Sequence, residues 1–177
     1  LLSAVHSLFS APYFAFVPYY ARDVFKLGET GLAWMMGTSG SGAFFGALLV
    51  AYLGDFKRKG WLVLGGALSA SVCVTGFALS TSLRVTLVFL FFIGFSIVVS
   101  VATTNTLLQK LVTDQMRGRV MSMFMLSFMG TMPIGNIVAG VASKHFGTPH
   151  TLATGGLVVM TVVVIVAISN KRLRSLY

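Results

Sequence analysis

Hydrophobic residues in this chain gather in long unbroken runs instead of alternating with polar ones. Six such runs occupy roughly 2–20, 32–53, 61–79, 85–108, 120–142 and 151–169. A helix needs about 20 largely apolar residues to cross a bilayer, and each run reaches or approaches that length. Their continuity excludes a closed β-barrel, whose strands alternate apolar and polar positions. Helices are then the remaining way to satisfy every backbone group in lipid. The pattern predicts an all-α membrane protein, a bundle of six transmembrane helices forming a single domain over residues 1–177.

Polar residues inside the runs divide the helices into kinds. Helix one carries Ser3, His6, Ser7, Ser10 and Tyr13 at spacings of three or four, hence on one face. Helix four repeats the arrangement with Ser96, Ser100, Thr103 and Thr104, followed by Asn105 and Gln109. Helix six is apolar all round in its second half. Helix three is nearly so, with Ser69, Ser71 and Thr75 as hydroxyls able to bond their own backbone. Two readings stay open. Either the polar faces of helices one and four border a water-accessible cavity while three and six meet lipid, or the hydroxyls only join helices and cap carbonyls.

Helix two holds a GxxxG pair, Gly42 and Gly46, with Ser39, Ala43 and Ala47 beside it, so another helix can approach closely there. Pro133 removes a backbone donor in mid-run, flanked by Gly130, Gly135 and Gly140, which predicts a bend in helix five. Asn136, next to that break, either serves the freed backbone groups or faces the cavity.

Charge sets the orientation. The chain is 56% hydrophobic and 10% charged, with 13 basic residues against four acids and a net charge of +9. In a soluble protein that balance would suggest nucleic acid as a partner. Here the charges sit at the ends of the runs, so no nucleic-acid partner is expected and the charges act on topology. Lys57, Arg58 and Lys59 follow helix two; Lys110, Arg117 and Arg119 follow helix four; Lys171, Arg172 and Arg174 follow helix six. The other gaps hold only Arg22 and Lys26 (offset by Asp23 and Glu29), Arg84, and Lys144. Nine of the 13 basic residues thus fall on one side, which reads as cytoplasmic and takes both chain ends with it. The first run has neither a basic leader nor a cleavage site and is not a signal peptide. The opening Leu-Leu-Ser reads as the start of a portion of a longer polypeptide. Cys73 is the single cysteine, so no internal disulfide can form.

Three stretches resemble a known family. The segment from Gly46 through Asp55 to Gly60 is similar to the loop signature of the major facilitator superfamily: Leu53, Asp55, Arg58 and Lys59 fit, whereas Ala51 and Phe56 depart from it. Residues Asn105–Ser122 (with Gln109, Asp114, Arg117 and Arg119) and Pro18–Asp23 resemble the branch containing the enterobactin exporter and macrolide-efflux-type proteins. The resemblance covers essentially the whole chain and implies the C-terminal half, helices seven to twelve, of a twelve-helix carrier.

That resemblance implies roles. The first and fourth helices would line the transport path, the second and fifth would contact the missing N-terminal six-helix half, and the third and sixth would face lipid. His6, Ser10, Tyr13, Ser100, Thr103 and Asn136 are the expected cavity wall around a small-molecule substrate. Asp55 is expected to latch the cytoplasmic side against a helix N-terminus of the other half. Arg58, Lys59, Asp114, Arg117 and Arg119 complete the candidate cytoplasmic gate, with Asp114 also the expected N-cap of helix five.

The expected activity is alternating access, in the form of proton-coupled export of an amphipathic molecule such as a siderophore or drug. The expected setting is the inner membrane of a bacterium. Alternatives are lysophospholipid transport, or anchoring of a fused acyltransferase-type enzyme. The acids lie at helix ends, so coupling falls either to His6 or to a carboxylate in the other half. No metal, cofactor, nucleotide motif or nucleophile–base pair is expected: His145 and His150 have no acid or Cys companions.

Overall fold

A computed structural model describes residues 2–54 and 59–169, and every described element is helical. In chain order these are α1 (Leu2–Phe9), α2 (Tyr13–Tyr19), a π-helical turn (Tyr20–Val24), α3 (Gly28–Leu53), α4 (Lys59–Leu79), α5 (Leu83–Leu111), α6 (Asp114–Met129), α7 (Met132–Phe146) and α8 (Thr148–Ser169). Helices two, three, four and six of the sequence pattern correspond to α3, α4, α5 and α8. Each extends past its apolar run by a few polar residues at one end or both.

Five described stretches are long and apolar enough to cross a membrane: α3, α4, α5, α6 with α7, and α8. The first run differs from the single helix expected. It breaks at Ser10–Pro12 into α1 and α2. Pro12 has no amide hydrogen, and its ring disfavours continued α-helix. Around it the backbone shifts register: Ala11 N–H donates to His6 O, while Tyr13, Phe14 and Ala15 donate to the carbonyls three residues back. Helix five also divides, at Gly130–Thr131, and this places Pro133 in the first turn of α7, where a missing donor costs nothing.

The bundle is organised around α4 and α5. The α5 helix packs along both α3 and α4, and α4 also packs along α8. The first run closes the bundle, with α1 against α6, α7 and α8, and α2 against α3. The core holds Tyr13, Val17, Tyr20, Met35, Val74, Phe77, Leu90, Ile93 and Leu152.

Helix three, expected to face lipid, packs along one side within the bundle. Eleven residues of α4 are buried, from Lys59 to Ala78, whereas α6 has none. Small side chains explain the close packing. Gly66, Ala67, Ala70 and Ser71 let α5 and α8 lie close on either side.

The tightest crossing joins α3 to α5. A Cβ on Gly42 would strike the carbonyl of Phe91, and one on Gly94 would strike the carbonyl of Ser39. The GxxxG pair is thus occupied within this bundle, with Gly46 set against Phe95.

Candidate functional site

His6, Ser7, Ser10 and Tyr13 of the first run are turned inward. His6, Ser10 and Tyr13 are 6%, 0% and 5% exposed. The Tyr13 ring packs edge-on to Phe77 of α4, with centroids 6.3 Å apart. Ser7 donates its hydroxyl to the carbonyl of Phe128, tying α1 to α6.

The hydroxyls of helix four split between two uses. Ser96 Oγ bonds Ser69 Oγ at 2.9 Å, and Ser100 Oγ donates to Val63 O at 3.2 Å, so both join α5 to α4. Thr104 and Thr106 donate to carbonyls four residues back, as Ser71 and Thr75 do in α4. At these positions the hydroxyls join helices or cap carbonyls.

Four candidate cavity atoms nevertheless lack a hydrogen-bond partner among the described residues: His6 Nδ1, Ser10 Oγ, Thr103 Oγ1 and Asn136 Oδ1. Buried polar groups are almost always satisfied, so these four stand apart from the hydroxyls above. His6 lies on α1 and Ser10 in the break that follows it, and Asn136 lies on α7, which packs against α1. Thr103 is separate: it lines a cavity of about 280 Å³ together with Lys59, between the ends of α3, α4 and α5.

Of the gate candidates, Asp55 and Arg58 lie outside the described residues. Lys59 begins α4 and is 6% exposed. The expected N-cap is displaced by one residue. Thr113 has the extended backbone of a cap, while Asp114 is the first helical residue and pairs with Arg117 at 2.8 Å. That geometry follows from Asp114 placing its charge over the helix N-terminus. The pair is exposed and contributes little by itself. Arg119 is exposed one residue beyond Gly118.

Sequence reasoning missed three features. Tyr20 OH reaches Ala78 O at 2.7 Å, pinning the π-helical turn to the end of α4. Gly135 and Gly155 let α7 and α8 close on the carbonyls of Leu8 and Phe9. Six of the nine methionines fall between Met116 and Met132, where Met123, Met125, Leu126 and Met129 are exposed. The clustering of methionine is visible in the sequence; its exposure is not.

A bundle in which five described stretches are long and apolar enough to cross a bilayer has the form of a multi-pass membrane protein. The family model described as transmembrane secretion effector, of the major facilitator type, matches residues 1–176. The chain belongs to that family. No curated protein matches it.

Proposed function

We propose that this chain is a six-crossing half of a major facilitator carrier that exports a small amphipathic molecule by alternating access. The observation that carries this reading is the family match over residues 1–176. The sixth crossing is the first run. From Leu2 to Val24 it is helical on both sides of Pro12, and at 1.5 Å per residue it reaches about 34 Å, enough for a hydrocarbon core of about 30 Å. Both ends of the chain then lie on the side of the Lys57–Lys59 run, the cytoplasmic side of a bacterial inner membrane.

The second half would cover α6 and the outer face of α3. The α6 helix buries no residue of its own, and α3 exposes Trp34, Phe44, Phe45 and Leu48. A methionine-rich wall suits a surface that must repack as two halves rock, because methionine is unbranched and adaptable. Asp23, Glu29 and Asp114 stand at helix ends, so the proton-coupling carboxylate is assigned to the other half. Asp55 would latch the cytoplasmic side.

Inverted membrane vesicles carrying the intact protein test this. Imposing a pH gradient, acid inside, should drive uptake of a fluorescent amphipathic cation or of a catecholate iron chelate, and a protonophore should abolish it. Gradient-independent movement would remove the proton coupling. No movement of either compound, with a lysophospholipid transported instead, would replace the substrate class.

A further inference from the structure

We propose that the cleft between the ends of α3, α4 and α5 binds the phosphate of an anionic membrane lipid. The cleft has a volume of about 280 Å³, and its lining includes Val50, Leu53, Lys59, Leu62, Thr103 and Thr106. Its mouth is open, since Ala51 and Gly54, which also line it, are exposed.

Two features within it favour a phosphate. Lys59 is buried to all but 6% of its surface at the cleft wall. An ammonium has three donors, so the interaction Lys59 makes within the chain does not exclude a second acceptor. Thr103 is 2% exposed, and its Oγ1 has no protein partner among the described residues. A hydroxyl so placed is a donor waiting for an oxygen.

Depth and lining favour a lipid over a soluble ion. The 21 residues of α4 span about 32 Å, close to the hydrocarbon thickness, which puts Lys59 at headgroup level. Val50, Leu53 and Leu62 make an apolar wall of the kind a glycerol backbone and upper acyl chain would cover. Lys57 and Arg58 precede Lys59 in the sequence, and basic runs of this kind concentrate anionic lipid nearby. Basic pockets between transmembrane helices are recognised headgroup sites in general.

The inference needs only that the bundle sits in a membrane, and its test is binding, so failure of the export reading would leave it intact. The intact protein in detergent is titrated with phosphatidylglycerol, phosphatidylcholine or soluble glycerol 3-phosphate while its thermal midpoint is followed and bound lipid is counted by native mass spectrometry. Phosphatidylglycerol should bind and raise the midpoint; the other two should not. Lys59→Gln should weaken that binding by about tenfold, the loss expected for a charge-assisted hydrogen bond, and Lys59→Arg should restore part of it. Thr103→Val keeps the side chain's shape and supplies a second variant if Lys59→Gln fails to fold; it too should weaken binding. Equal effects of phosphatidylcholine, or binding unchanged in Thr103→Val and Lys59→Gln, would overturn the proposal. An equal effect of glycerol 3-phosphate would overturn the lipid as its source.

Discussion

Single residues divide by what a side chain would meet. Gly42 and Gly94 have no room because α3 and α5 touch backbone to backbone, whereas Gly37 and Gly40 face open space. Gly42→Ala should therefore force the two helices apart and cost about 1–3 kcal/mol, as overpacking does. Gly37→Ala should be neutral or stabilise by up to about 1 kcal/mol through helix propensity. Thermal unfolding of the intact protein in detergent separates the two. Tyr20 anchors the outer end of the first run through its hydroxyl on Ala78 O. Tyr20→Phe leaves the ring in the core and deletes only that bond, so the same assay should show a loss of about 1 kcal/mol.

At the scale of elements, the positions of the helices were legible because apolar run length and end charges directly reflect the thickness of the solvent they cross. Their mutual packing was not. Helix three looked peripheral because its surface is apolar all round, yet apolar residues suit lipid and a helix neighbour equally. Only the distribution of Gly66, Ala67, Ala70 and Ser71 shows which side is packed. Periodicity cannot say what the polar residues of the first run look at: His6, Ser10 and Tyr13 turn inward. The Pro12 break was equally invisible to a hydropathy window. At α6 the reverse holds, with an apolar helix that has no buried residue. Leu126→Ala and Met129→Ala remove no packed contact in this bundle. Because the second half would cover α6, they should lower transport severalfold and cost the intact protein about 1–3 kcal/mol. Unfolding and vesicle uptake, measured on the same preparations, check both parts.

For the molecule as a whole, the bundle core and the family agree on a membrane transporter, and its mechanism depends on how many times the chain crosses. A first run that is broken at Pro12 but still spans makes an even count and puts both ends on one side. A first run that stays on one face leaves five crossings and a bundle that cannot be half of a twelve-helix carrier. Single cysteines in a Cys73→Ala background, labelled in whole cells with an impermeant maleimide, decide between them. Lys26, Ser82 and His150 lie between helices or at a helix end and are exposed, as are Gly54 and Gln115 on the opposite side of the predicted topology. The account predicts labelling at Lys26→Cys, Ser82→Cys and His150→Cys, and none at Ser3→Cys, Gly54→Cys or Gln115→Cys until the membrane is permeabilised. Labelling of Ser3→Cys together with Lys26→Cys in intact cells would contradict it.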